Sequence, residues 1–329
     1  MTDVNLLVET LEEIGLHPIV IDENTVFEAP DPFIEGTNIQ WAWDSTSLSN
    51  FKRCPQLYKY INIDGWQSKE ESVHLRFGIE FHTAAHQYEK LRHAKMDHDE
   101  AVWHVVRELM HRTCNFRPDH KYKNREHLVR CVIGYLDKFQ NDAATTVILD
   151  GKPAVEVSFN FALDWGPTND TSYILCGYLD RVVEFGGTRY VMDYKTTTSG
   201  LTDHYFKQFE PDNQMTLYTL AAGVVFDKPA QGVIINGIQI TIEKGDRFVR
   251  GVTYRAPDII EEWLDDLHQH LADALRYAEE GRWPKRDTSC DKYGGCAFRE
   301  VCNASPTVRQ EYLEANFVQA ERWNPLKPR

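Results

Sequence analysis

Two acidic residues and a lysine in the middle of the chain have the types and spacing for phosphate chemistry. "GYLDRVVEF" carries Asp180, and "VMDYKTT" carries Asp193 and Lys195 two residues apart. On a strand, side chains two apart leave the backbone on the same face, so Asp193 and Lys195 share one edge and Asp180 can join them from a neighbouring strand. Mg²⁺ or Mn²⁺ suits such a place, because a hard cation binds through one or two carboxylates plus substrate phosphate and water. Asp180, Asp193 and the backbone carbonyl of Tyr194 would supply the protein's share. Lys195 would orient or deprotonate the attacking water and offset charge on a scissile phosphate, which amounts to phosphodiester hydrolysis. Taken alone, an Asp-x-Lys on a strand is more often a solvated, salt-bridging edge.

A second group of reactive side chains is split between the ends of the chain. "CDKYGGCAFREVC" spaces Cys290, Cys296 and Cys302 with five residues between successive thiols, and Cys54 stands alone in "SNFKRCPQLYKY". Four thiolates ligate Zn²⁺ or an iron–sulfur cluster, and the residues by themselves do not separate the two. Ordinary buried thiols are the alternative, although Gly294, Gly295 and the polar residues around them are poor core material. A shared site would staple the N-terminal helix to the C-terminal loop. Cys114, Cys131 and Cys176 fall within apolar helix or strand patterns and read as core residues. Lys52, Arg53, Tyr58 and Lys59 would line a nucleic-acid groove, with Tyr58 for base stacking, or form a solvated basic turn.

These residues need a scaffold, and its elements are legible in the pattern of the chain. "SVHLRFGIEFHTAAHQYEKLRH", "DEAVWHVVRELMHR" and "REHLVRCVIGYLDKFQ" repeat at helical spacing, the first placing Leu75, Ile79, His82 and His86 on one stripe. A helix capped by Ser47 or Ser49 would carry Cys54, Leu57 and Tyr58. Residues 153 to 197 read as three consecutive strands with a Gly-Gly turn before the last, and "NQMTLYTLAAGVV" returns to helical spacing. A strand pair follows, then a long helix from Pro257 to about Gly281. The resulting expectation is an N-terminal segment over residues 1–45, one α/β domain over 46–305 with a helical insertion at about 73–140, and a C-terminal tail over 306–329.

Composition narrows the function classes. The 329 residues are 42% hydrophobic, enough for a sizeable core, and their formal net charge of −14 argues against a protein that coats nucleic acid by bulk electrostatics. It leaves room for an enzyme with a local basic groove. Acidic residues stand where a signal peptide would need basic ones, and no apolar run reaches membrane-spanning length, so a soluble, cytoplasmic protein without a membrane partner is expected. An odd number of cysteines, seven, favours metal ligation over a disulfide framework.

The ordered set "RFGIEFH", "PAVEVSF", "GYLDR", "MDYKT" and "QMTLY" resembles the RecB-like branch of the PD-(D/E)XK nuclease superfamily, whose motifs are G-x-x-x-H, G-x-x-D-R, (D/E)-x-K and Q-x-x-x-Y. The resemblance covers roughly residues 45 to 305. It implies a restriction-endonuclease-like core, a central mixed sheet flanked by helices. It also implies His82 as a metal ligand after Gly78, Asp180 and Asp193 as acidic ligands, and Lys195 as the catalytic lysine. Gln214 and Tyr218, one helical turn apart, would bind the DNA backbone or orient the lysine. Glu156 lies where the first core strand often bears a glutamate, or it faces solvent on an alternating strand. In isolation His82 and His86 would be ordinary helix histidines.

CRISPR-associated and AddB-type relatives of this branch carry a [4Fe–4S] cluster on one cysteine before the core and three after it. Cys54, Cys290, Cys296 and Cys302 are similar in order, with five residues where the commonest spacing has two. Zinc is the fallback. The resemblance thus implies a cluster-stabilised, metal-dependent DNA exonuclease acting on single-stranded ends. The sequence contains no G-x-x-x-x-G-K-[ST] motif, so ATP-driven unwinding would come from a helicase or other recombination or repair partner. The alternative is a catalytically silent, cluster- or zinc-bearing DNA-binding or assembly subunit.

Overall fold

The computed structural model describes residues 17–18, 29–226, 228–242, 245–291 and 295–327. Most of the N-terminal segment expected over residues 1–45 lies outside these residues. The chain divides into two compact units. The first holds Glu71–Ser158 and Tyr178–Ile260, and the second holds the described residues before Glu71, Phe159–Gly177 and those from Glu261 onward.

The first unit opens with three helices, α1 (Val73–His93), α2 (His98–Arg112) and α3 (Arg125–Lys138). Each begins at a side-chain cap: Ser72, Asp97 and Asn124 accept backbone N–H groups from the first turn. Phe77, Phe81, Ala84 and Tyr88 of α1 pack against Leu109, Leu128 and Leu136. This stripe is rotated from the one expected in the sequence, since Leu75 and Ile79 are exposed.

A mixed sheet follows, with strands β1 (Val155–Ala162), β2 (Ile174–Phe185), β3 (Thr188–Thr197), β4 (Gly232–Gln239) and β5 (Arg247–Tyr254) in that spatial order. Strands β2 and β3 form a hairpin about Gly186 and Gly187, whose positive φ angles of 60° and 79° are what a tight two-residue connection demands. Strand β3 then pairs in parallel with β4, and helix α4 (Asn213–Phe226) provides the crossover. Strands β4 and β5 are antiparallel. Helices flank this mixed sheet, giving an α/β fold.

The second unit is built around aromatic packing. Its helix Ser45–Arg53 is capped by Asp44, whose carboxylate accepts from Ser47 N, and not by Ser47 or Ser49 as expected. The helix also stops short of Cys54, which is extended and precedes a short helix, Pro55–Tyr58. Tyr58 stacks on Trp43 at 5.3 Å and is buried, so it is a core residue and not a surface for base stacking. Strand Trp66–Ser68 pairs with Phe317–Gln319, and Phe298 stacks between Tyr60 and Phe317. The C-terminal residues therefore close onto the N-terminal ones through backbone pairing and ring contacts.

Cys131 and Cys176 are buried as expected, but Cys114 is exposed because it follows the C-cap of α2 at Thr113. Among the described residues no helix is long and apolar enough to cross a membrane.

Candidate active site and cysteine pocket

The β2–β3 register sets Arg181 opposite Met192, which brings Asp180 level with Asp193 on adjacent strands. Both carboxylates are buried. Asp193 is raised above the usual carboxylate range by burial, with Lys195 opposing and the negative charge of Asp180 adding to the rise. Asp180 moves the other way: burial would raise it, but the His82 imidazole beside it lowers it further. Two like charges forced together without water leave a place where a cation is electrostatically favoured.

Helix α1 delivers His82 to this place. Its Nδ1 lies 3.1 Å from Asp180 Oδ2, and its Nε2 lies 2.8 Å from the carbonyl oxygen of Tyr194. Burial disfavours charge on this ring, yet the Asp180 carboxylate outweighs it and raises the histidine. With an acceptor at each nitrogen, His82 holds its proton where a cation would otherwise stand.

Lys195 lies on the other side of Asp193. Its Nζ donates to Asp193 Oδ1 at 3.1 Å and contacts Oδ2 at 2.9 Å in an ion pair without hydrogen-bond alignment. It also donates to Gln214 Oε1 at 2.8 Å, and Gln214 Nε2 donates to the Tyr218 hydroxyl at 2.9 Å. Burial would lower the ammonium, but Asp193 keeps it raised and charged. Of the two roles open to Gln214, orienting the lysine is the one the geometry provides.

Glu156 belongs to a neighbouring group. Its carboxylate lies 3.3 Å from His86 Nδ1 and 3.1 Å from Lys90 Nζ, and these partners hold it at about 2, with the His86 hydrogen bond the largest cause. His86 was set aside in the sequence as an ordinary helix residue, although its position one turn after His82 was the available signal. The residues His82, Asp180, Asp193, Tyr194, Lys195, Gln214 and Tyr218 come together, with Glu156 beside His86 and Gly78 one turn before His82 on α1.

The site's residues fit a divalent ion. Asp193 Oδ2 is buried without a hydrogen bond, and His82, His86 and Asp180 place ligand atoms within 4.8 Å of one another, the one such group among the described residues.

In the second unit, Cys54, Cys290, Cys296 and Cys302 line one cavity of about 140 Å³. Arg53, Lys285, Arg286 and Arg299 surround them, a basic rim suited to balancing thiolate charge. Arg286 N donates to Cys54 Sγ at 3.4 Å, and Cys296 N donates to Cys290 O at 2.9 Å. Burial pushes the Cys302 thiol up, Lys285 opposes, and the sulfurs of Cys296 and Cys54 add to the rise. The four sulfurs do not form a set within 4.8 Å.

The family model of the PD-(D/E)XK nuclease superfamily matches residues 43–303, spanning the sheet, the carboxylates and the lysine. The chain belongs to the PD-(D/E)XK nuclease superfamily. A curated relative, the Gene 69 protein of Mycobacterium phage D29, is 26% identical over 289 residues, covering 80% of this chain and 96% of its own. Among solved structures, a candidate exonuclease from Eubacterium rectale aligns with a TM-score of 0.48 and 12% identity over 76% of this chain and 86% of its own. The matched span contains Asp180, Asp193 and Lys195, the residues brought together on β2 and β3.

Proposed function

We propose that this nuclease is a RecB-like, metal-dependent DNA exonuclease that acts on single-stranded ends and carries a [4Fe–4S] cluster on Cys54, Cys290, Cys296 and Cys302. The observation that carries the catalytic reading is the placement of Lys195 between Asp193 and Gln214 at 2.9 Å and 2.8 Å. His82, Asp180, Asp193 and the Tyr194 carbonyl would hold the divalent ion. When bound, that ion supplies Lewis acidity to the scissile phosphate and acidifies its water. Lys195 presents a fixed ammonium to the same phosphate, and Gln214 stops it from rotating away. Asp180 and Asp193 are buried while the Lys195 and His82 side chains stay about a quarter exposed, which leaves the site open to the attacking water.

Leu75 and Ile79 support a single-stranded substrate. They are 62% and 52% exposed on the α1 stripe that leads to His82, and they offer an apolar ledge to unstacked bases. Strand separation would fall to a helicase or other repair partner.

Four cysteines lining one cavity suit either a cluster or a zinc ion, and the order of one before the core and three after it favours the cluster. An iron–sulfur cluster spaces its ligands more widely and suits a cavity of about 140 Å³.

The test compares end-labelled linear DNA with closed circular single-stranded DNA in Mg²⁺, Mn²⁺ or chelator. The linear strand should be shortened from its ends while the circle survives, and cleavage of the circle would contradict the exonuclease reading. Anaerobically purified protein should be brown, with roughly four irons and matching acid-labile sulfide per chain. Colourless, folded protein with one zinc would overturn the cluster.

A further inference from the structure

Helix α1 carries a second imidazole into the same pocket, and nothing in the chemistry described so far uses it. His86 is 3% exposed; its Nδ1 faces the Glu156 carboxylate at 3.3 Å, and its Nε2 has no hydrogen-bond partner. A buried ring nitrogen left without a partner is costly, so the free Nε2 calls for a ligand. Its ring stands 5.9 Å from that of His82, and the two histidines share with Asp180 a set of ligand atoms within 4.8 Å.

The surroundings of His86 resemble a support for a metal ligand. Glu156 Oε1 stands 3.3 Å from Nδ1, and Lys90 at 3.1 Å fixes that carboxylate from behind. A carboxylate behind one ring nitrogen leaves the other to face an ion, and such an arrangement orients and strengthens the imidazole as a donor. Glu156 achieves this from a left-handed backbone, φ 54°, a conformation unfavourable for a residue with a Cβ and retained where the surrounding structure demands it.

We propose that His82, His86 and Asp180 form a position for a late transition-metal ion, of the Fe²⁺, Co²⁺ or Zn²⁺ class, with Glu156 as the positioning residue behind His86. Two imidazoles and one carboxylate favour such ions, whereas Mg²⁺ prefers an all-oxygen shell. The proposal rests on the reading of this pocket as metal-dependent, and it adds that the ion's identity is selected by His86. Asp180 then serves two neighbours at once, this position and the adjoining carboxylate of Asp193.

The test titrates Co²⁺ into metal-free protein and follows visible d–d absorption together with calorimetry. Mg²⁺ is titrated separately. Wild type should bind Co²⁺ with a spectrum of nitrogen-containing coordination. His86→Gln should weaken Co²⁺ at least tenfold while Mg²⁺ affinity stays within twofold. Glu156→Gln, which leaves both imidazoles in place, should weaken Co²⁺ by about tenfold, in line with the loss of a support behind a ligand.

Circular dichroism checks that both variants fold. A folded His86→Gln protein with unchanged Co²⁺ affinity and spectrum would overturn the proposal; if that variant fails to fold, unchanged Co²⁺ affinity in Glu156→Gln does so. Wild-type cleavage of DNA in saturating Mg²⁺, Mn²⁺ and Co²⁺ is measured in parallel. Its absence with every one of these ions would overturn the nuclease reading and leave the Co²⁺ binding result to decide the site.

Discussion

The Lys195 ammonium donates to Gln214 Oε1 at 2.8 Å, and Gln214 donates onward to the Tyr218 hydroxyl at 2.9 Å. One strand residue and two residues on successive turns of α4 thus act as a single positioning chain. Without it, a lysine with four rotatable bonds would sample many places besides the phosphate.

Replacing Gln214 should therefore loosen the lysine without removing it. Gln214→Ala is expected to lower single-turnover DNA cleavage by about tenfold, the scale of a displaced charged group rather than a lost one. Metal affinity should change little. Quenched-flow kinetics at saturating metal, with calorimetry beside it, measures both.

Metal should stabilise the fold through the two buried carboxylates. At a hundred times its dissociation constant a ligand bound only by the native state adds about 2.7 kcal/mol, so Mg²⁺ or Mn²⁺ should raise the melting temperature of wild type. Asp193→Asn removes the charge that faces Asp180 and should abolish most of that shift. Thermal melts with and without Mn²⁺ give the comparison.

Two glycines should respond in opposite ways. A Cβ at Gly78 would meet only Thr196 Oγ1 at 3.8 Å, so Gly78→Ala should gain up to about 1 kcal/mol of helix propensity. A Cβ at Gly232 would strike the Thr253 carbonyl oxygen at 2.0 Å, and Gly232→Ala should cost about 2–3 kcal/mol. Urea unfolding of the two variants distinguishes them.

Much of this was legible before any coordinates. The strands carrying Asp180, Asp193 and Lys195 announce themselves by β-branched composition and the Gly-Gly turn, and their two-residue period is what brings these side chains together. Helix phase was harder to read. Leu75 and Ile79 look like core residues by type, yet Phe77 and Phe81, two positions on, take the buried face because their larger rings fill the space against α2 and α3.

The cap at Asp44 was missed because three serines compete with it nearby, and only the turn geometry favours the carboxylate. Tyr58 offered no signal either: burial by Trp43 is a long-range outcome that local composition does not encode. His86 was visible by spacing, but its unpartnered Nε2 is a property of the folded pocket.

Lys123 should leave a mark on the pH dependence of stability. Burial lowers it from 10.5 to about 8 in the folded chain, and its nearest acceptors are the hydroxyl and carbonyl of Thr196. Between about 8 and 10.5 the unfolded chain holds a proton that the folded chain has released, so stability contributed by this group rises with pH across that window. Lys123→Met should remove that rise, leaving the variant's advantage over wild type largest below pH 8. Denaturant titrations of both proteins from pH 7 to 10 check the direction.

The most direct measurement is single-turnover cleavage of end-labelled single-stranded DNA by wild type and Lys195→Ala, at saturating Mn²⁺, with Mn²⁺ and DNA affinities determined for both. The proposed role of the ammonium is to act on the phosphate, and not to bind metal. Lys195→Ala should therefore bind Mn²⁺ and DNA within a few-fold of wild type while cleaving about 10²–10³ times more slowly. Cleavage by Lys195→Ala at the wild-type rate, with both ligands bound, would contradict the assignment of this site.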